Sequence, residues 1–193
     1  MTLDDTGTVE KELVLRAQGG DRNAFNDLVT LHARGVINVI YRMCGDAQLA
    51  EDAAQETFIR AWSHLGSFHG DMSLRNWLYR IGLNAAADML RKEKHIDPAD
   101  LDDLHLSDPQ PGPEGAYLQD ERIALVRDAI ASLPEASRVV LVLKEYGELS
   151  YREIAESLYI PLGTVMSRLN YARRALKEKL QEKMVLSTEV EHV

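Results

Sequence analysis

The sequence predicts an all-α protein of two small helical domains joined by an acidic, proline-rich linker, with a helix-turn-helix in the second domain. Three observations point there. From about Glu10 onward apolar residues recur three and four positions apart, and no stretch alternates apolar with polar residues as a half-buried strand would. Between His95 and Gly115 that periodicity stops, and four prolines stand among aspartates, a composition that cannot bury enough apolar surface to fold by itself. Beyond it the periodicity returns and ends in a basic helix.

The chain has 193 residues, 45% of them hydrophobic, which allows one large or two small domains with modest cores. Its formal net charge of −9 is unusual for a nucleic-acid binder, so the distribution matters more than the sum. Residues 95–121 hold eight Asp/Glu and no Lys/Arg, whereas segment 72–94 carries an excess of three positive charges. Basic patches therefore survive on both sides of a local acidic stretch. Cys44 is the only cysteine, which excludes an intramolecular disulfide and a cysteine-rich zinc site and fits a reducing cytoplasm. With no signal peptide and no apolar run approaching ~18 residues, neither export nor membrane insertion is expected.

Taken in order, residues 1–9 are polar and expected to be a frayed or disordered tail. The first domain spans 10–94. Phe25, Leu28, Val29, Val36, Val39, Ile40 and Met43 fit one long amphipathic helix, with Gly35 as a candidate break, and Gly45-Asp46 ends it and caps the next. In the helix from about Ala47 to Leu65, the core stripe is Leu49, Ala53, Ala54, Phe58, Ala61, Trp62 and Leu65. Asp52, Gln55 and Glu56 lie side by side on the other face, and Ile59, seven positions after Asp52, shares nearly its azimuth. An apolar anchor ringed by polar groups suits contact with a partner; a single exposed isoleucine is also ordinary. The acids lack a histidine or third carboxylate at ligand spacing, so no metal is expected.

A Gly-punctuated loop then presents Phe68 ahead of a helix from about Leu74 to Glu93. Leu74, Trp77, Leu78, Ile81, Ala85 and Met89 form its buried stripe; Arg80, Asn84, Asp88 and Arg91 form a polar one. A ring to stack on a base, an amide to read its edge and arginines to hold phosphates would serve single-stranded nucleic acid. Equally, Phe68 could belong to the core and the arginines to solvent.

Residues 95–115 form the linker and 116–183 the second domain, leaving 184–193 as a tail. Ile123, Val126, Ile130 and Leu133 fit one helix. Ser132 and Glu135 have capping-box spacing for the next, which runs through Val139, Val140 and Leu143 to Tyr146, with Gly147 at its C-terminal cap. Ser150 and Glu153 repeat the spacing ahead of a short helix carrying Ile154, Ala155 and Leu158. Pro161 suits the opening of the last helix, whose stripe is Val165, Leu169, Ala172 and Leu176. Arg168, Arg173, Arg174, Lys177 and Lys179 lie mostly off that stripe, and Pro161–Lys183 holds six Lys/Arg against two Glu. This is a helix-turn-helix whose second helix would enter a major groove; a packed helical hairpin with a solvated basic face is the alternative.

Together these residues resemble the extracytoplasmic-function (group 4) sigma factors of bacteria, over about residues 20–94 and 116–181. AEDAAQETFIRAW (Ala50–Trp62) resembles the family's polymerase-binding segment. The resemblance implies docking of Asp52, Gln55, Glu56 and Ile59 on the clamp helices of the largest polymerase subunit. SFHGDMSLRNWLYRIGLNAAADMLR resembles the segment that melts and reads the minus-ten element. Phe68 and Asn84 match positions lining the pocket for a flipped-out base, with Arg80 and Arg91 beside them. LPEASRVVLVLKEYGELSYREIAESLYIPLGTVMSRLNYARRAL resembles the domain that reads the minus-thirty-five element. There the implied contacts are Lys144, Pro161, Gly163, Thr164, Ser167, Arg168, Tyr171, Arg173 and Arg174. Met166 and Tyr171 replace basic residues common in the family, which weakens direct hydrogen bonding to bases at those positions.

The resemblance further implies the flap of the second-largest polymerase subunit, promoter DNA and a cognate anti-sigma factor as partners. No cofactor, metal or catalytic residue is expected. The acidic linker either threads a polymerase channel built for nucleic acid or acts as a repelling spacer. A free-standing helix-turn-helix regulator would account for 116–181 but leave the Asp52 face and the Phe68 loop idle. A nuclease would need a nucleophile–base pair or metal cluster, which is not found. A pure adaptor would bind no DNA.

Overall fold

The computed structural model describes residues 3–95 and 114–190. Helices α1 (Leu3–Gln18), α2 (Arg22–Cys44), α3 (Ala47–His64) and α4 (Leu74–His95) precede the linker; a 3-10 turn, Leu65–Ser67, follows α3. Beyond the linker come α5 (Glu114–Ala131), α6 (Glu135–Glu145), α7 (Tyr151–Leu158) and α8 (Leu162–Val190). No strand occurs among the described residues, as the absence of alternation predicts.

The first four helices pack around α2. Leu28, Val36, Val39, Ile40 and Met43 of α2 are buried against Leu49, Ala53 and Ala61 of α3 and Leu78, Ala85 and Ala86 of α4. The Phe25 and Trp62 rings close one end of this core, 4.9 Å apart and tilted. Helix α2 runs unbroken through Gly35. The glycine serves close approach rather than a break: a Cβ there would stand 2.9 Å from the Tyr79 hydroxyl of α4. At the α2–α3 junction the Asp46 side chain accepts the Leu49 amide, capping α3. Cys44 sits beside it, half-buried, its thiol donating to the Asp46 carbonyl. Burial pushes that thiol above its usual pKa.

Residues 3–9, expected to be frayed, instead form the first turns of α1. The far half of that helix is anchored: Val14 and Ala17 are buried, and Gln18 donates to the carbonyls of Leu65 and Phe68 at 2.9 and 2.8 Å. His32 Nε2 lies 3.1 Å from the Glu10 carboxylate, which it holds below the usual carboxylate range. Once such turns are nucleated, each added residue gains a hydrogen bond at little cost, so the helix propagates back toward the terminus. The same reasoning applies at the other end. Residues 184–190, expected as tail, continue α8. The linker is also shorter at its edges, since His95 closes α4 and residues 114–115 open α5; residues 96–113 lie outside the described residues.

In the second group α8 packs on α5, α6 and α7. Val165, Leu169 and Ala172 are buried, with Leu176 partly so, against Val140, Leu143 and Ile154. Ser150 and Glu153 form the predicted capping box, the hydroxyl accepting the Glu153 amide and the carboxylate accepting the Ser150 amide at 2.8 Å. Ser132 and Glu135 do not. Ser132 donates back to the Ala129 carbonyl at 2.7 Å, and Pro134 takes the cap position of α6 without a side-chain bond. Gly147 follows α6 but is not left-handed; Glu148 takes that conformation, with φ 57°. What Gly147 supplies is room, because a Cβ would meet the Leu143 carbonyl at 2.8 Å and the Tyr79 ring at 3.2 Å. Ile123 lies in α5 as expected and is 49% exposed, whereas Ile130 is buried.

The two helix groups also pack on each other. Helix α2 touches α5 and α6, and α4 touches α7. Helix α4 is consequently buried on two sides, which is why Asn76, Tyr79 and Leu83 join the core alongside the predicted stripe.

Candidate nucleic-acid and docking interfaces

On α3 the face opposite the core is open. Asp52 and Gln55 are exposed, and Ile59, a large apolar side chain, is 62% exposed. Gln48 steadies Asp52 with a 3.3 Å amide–carboxylate bond. Glu56 is only half-exposed, because it accepts the Arg60 guanidinium at 2.6 Å. Such a surface offers two acceptors, an amide and an apolar anchor on a rigid helix, a combination suited to a polar-rimmed protein contact.

Phe68 is half-buried, its ring centroid 5.1 Å from that of Trp77. Its remaining surface lines a cleft of about 740 Å³ bounded by Val14 and Leu15 of α1, loop residues 69–73, and Glu153 and Glu156 of α7. Both readings of Phe68 thus have a physical basis: one part packs, another faces the cleft. Along α4, Asn84 is exposed. Arg80 lies over the Tyr159 ring, 4.2 Å from its centroid, and Arg91 pairs with Asp88 at 3.2 Å and Glu135 at 3.6 Å. Arg80, Asn84 and Arg91 thus follow one another along α4 with both arginines engaged, while Phe68 lies against Trp77 near the start of that helix.

The recognition helix presents Pro161, Gly163, Ser167, Tyr171, Arg173 and Arg174 as exposed residues, with Thr164 and Arg168 half-exposed. Ser167 donates to the Thr164 carbonyl at 3.1 Å. Arg173 reaches Glu145 at 2.9 Å, tying α8 to α6, and Arg174 lies 3.8 Å from Glu178. Lys144 donates to the Leu149 carbonyl at 3.1 Å, which places its charge at the foot of the helix-turn-helix. Asn170, absent from the sequence-based candidates, is exposed on the same helix. An amide there can bond an adenine edge bidentately; its position three residues before Arg173 and four before Arg174 was the available signal.

No group of three or more His, Cys, Asp or Glu placed to hold a metal ion occurs among the described residues. Nor is any helix of the described residues long and apolar enough to cross a membrane.

Comparison with known proteins agrees with this division. Residues 28–96 match the model of Sigma-70 region 2, and residues 123–176 match that of Sigma-70, region 4. The RNA polymerase sigma-H factor of Pseudomonas aeruginosa is 41% identical over 182 residues, covering 89% of this chain and 94% of the relative. The ECF RNA polymerase sigma factor SigW of Bacillus subtilis is 36% identical over 188 residues, covering 89% and 97%. The chain belongs to the extracytoplasmic-function family of RNA polymerase sigma factors. As such it is a transcription initiation factor that gives RNA polymerase its promoter specificity. Among solved structures, that of CnrH in complex with the cytosolic domain of CnrY superposes with a TM-score of 0.69 at 27% identity, covering 90% of this sigma factor and 98% of that chain. The sigma factor RpoE of Bartonella quintana, in complex with the anti-sigma factor NepR, gives 0.63 at 25% identity, covering 81% and 96%.

Proposed function

We propose that this sigma factor divides its work between the two helix groups. In residues 10–94, Asp52, Gln55, Glu56 and Ile59 dock on the clamp helices of the largest polymerase subunit. Phe68, Arg80, Asn84 and Arg91 receive the minus-ten strand, Phe68 by stacking and Asn84 through a base edge. In residues 116–183, Lys144, Pro161, Gly163, Thr164, Ser167, Arg168, Tyr171, Arg173 and Arg174 seat the recognition helix in the minus-thirty-five major groove, while the same group meets the flap of the second-largest subunit. The observation that carries this reading is the exposed Ile59 flanked by Asp52 and Gln55 on a helix whose other side is packed, since a duplex reader alone would have no use for it.

The protein acts in the cytoplasm, in response to stress, without cofactor or catalytic centre of its own. CnrH and RpoE are bound by CnrY and NepR, and by analogy a cognate anti-sigma factor holds this chain until it is needed. The acidic linker threads the polymerase channel, its carboxylates standing in for a phosphate backbone. In vitro transcription with purified core polymerase and a promoter library tests the whole reading. Selection of templates sharing two elements a fixed distance apart is the expected result; core-independent, sequence-specific binding would overturn it.

A further inference from the structure

The outer face of α8 carries apolar side chains where a groove-reading helix has most use for polar ones. Leu162 and Met166, one turn apart, are each 47% exposed, and Tyr171 is 44% exposed. Val165 and Leu169 of the same turns are buried, so the helix has already met its packing partners and the exposed side chains are surplus to them. The arginines of α8 are turned away or engaged. Arg168 leaves the helix about 200° around from Met166. Arg173, two turns on and at nearly the azimuth of Met166, is held by Glu145 at 2.9 Å, and Arg174 is drawn toward Glu178. The Ser167 hydroxyl gives its proton to the Thr164 carbonyl at 3.1 Å. Asn170, exposed one turn after Met166, is the neighbour on that flank with an amide to offer.

We propose that Met166 is a specificity-determining residue that seats its thioether end on the C5-methyl group of a thymine in the minus-thirty-five major groove, while Asn170 takes the edge of an adenine beside it. The proposal rests on reading α8 as the helix that enters that groove. The chemistry of the groove narrows the choice. Phosphates and most base-edge groups reward a charge or a hydrogen bond, whereas a thioether has no proton to donate and accepts weakly. The thymine methyl is the one apolar group that a base pair displays there. Guanine is read best by a bidentate arginine or lysine, and the asparagine amide matches adenine N6 and N7. An unbranched, polarizable side chain also adapts to where the methyl group lies. Base edges are met by the N-terminal part of a recognition helix, and Met166 stands in the second turn of α8. The helix therefore favours A·T pairs where its first turns enter the groove.

The test uses holoenzyme assembled from the full chain and core polymerase, on the element recovered from the promoter library. Each thymine of that element is replaced in turn by uracil, which removes the methyl group and leaves pairing intact. At one thymine the swap should weaken duplex binding by wild type about fourfold, the worth of one buried hydrocarbon group. Met166→Ala should bind the thymine template more weakly by a similar factor and no longer distinguish thymine from uracil. Asn170→Ala should lose roughly fivefold or more at a neighbouring adenine and keep the methyl effect. Met166→Arg should move the preference at the thymine pair toward guanine. Circular dichroism should be the same for both alanine variants as for wild type, because both sites are exposed. Equal uracil penalties in wild type and Met166→Ala overturn the assignment. So does a Met166→Ala protein with unmoved DNA affinity and weakened core binding, which would set the side chain against polymerase. A holoenzyme that selects no upstream element overturns the recognition-helix reading and this inference with it; one that selects an element yet ignores every methyl group overturns this inference alone.

Discussion

Arg60 donates to Glu56 at 2.6 Å on α3 while its other arm lies 3.6 Å from Asp88 on α4. The helix that carries the proposed docking face is thereby linked to the helix that carries the proposed strand-reading stripe. Glu56 has an ion pair that Asp52, Gln55 and Ile59 lack.

The docking face should therefore separate by substitution. Gln55→Ala with Ile59→Ala should shift stability by no more than ~0.5 kcal/mol, as surface changes do, yet weaken core-polymerase binding sharply in a pull-down. Glu56→Ala should lose a further ~0.3–0.5 kcal/mol from its ion pair, measured by urea denaturation. Full core affinity in the Gln55/Ile59 double variant would remove the assignment.

Phe68 and Asn84 should behave differently from each other. Phe68→Ala removes a ring packed on Trp77, worth ~0.5–1.5 kcal/mol beyond the area it buries, so melting temperature and strand opening should both fall. Asn84→Ala should leave the melting temperature alone and cost ~1–3 kcal/mol of discrimination at one minus-ten base. Permanganate reactivity of unpaired thymines reads opening, and a pre-melted bubble should restore part of the Phe68→Ala defect. An Asn84→Ala protein with unaltered opening and base preference would place the pocket elsewhere.

Arg168 and Arg173 differ in the same way. Arg168 makes no ion pair among the described residues. Arg168→Ala should therefore reduce the salt slope of holoenzyme binding to a minus-thirty-five duplex by ~0.9 for each phosphate that the arginine neutralises. Arg173 is spoken for by Glu145, and Arg173→Ala should in addition lower the free energy of unfolding, by up to ~1 kcal/mol. Equal melting curves for the two variants would contradict the tie between α8 and α6.

Stability should depend on acid in a defined direction. The Glu153 carboxylate is held below its usual value of 4.5, first by the Ser150 amide it accepts, and Glu10 is held below the same value first by the His32 imidazole 3.1 Å away. A depressed carboxylate stabilises the fold fully above the unfolded value and loses that contribution as pH falls from there through the folded one. The difference in urea midpoint between wild type and Glu153→Gln should thus be present at pH 6 and shrink steadily below pH 4.5. A difference independent of pH would mean that the charge of Glu153 contributes nothing to the cap.

What could be read beforehand and what could not follows from the range of each interaction. The α3 stripe, the Gly45-Asp46 junction and the Ser150 cap are settled within a few residues of chain, and all three are as the sequence predicts. Ser132 and Glu135 have the same spacing as Ser150 and Glu153, but the Ala129 carbonyl offered Ser132 another partner and Pro134 took the cap position. Spacing alone does not register competitors. Tyr79 and Leu83 escaped because periodicity identifies one buried face, and α4 has two neighbours. Asn76 and Arg80 look like surface residues in sequence; only the packing of α7 against α4 shows what holds them. The open Ile59 face of α3 and the basic face of α8 were legible because a face left unpaired within the chain shows as apolar or basic residues out of step with the core stripe.

The solitary thiol of Cys44 has a bearing on how oxidants can reach this protein. A half-buried sulfur whose pKa is raised, and which donates its proton to a nearby carbonyl, presents little thiolate to peroxide. With no second cysteine in the chain there is no resolving partner to form an internal bridge. Cys44 is thus placed as a packed, structural thiol rather than as a peroxide-reactive one.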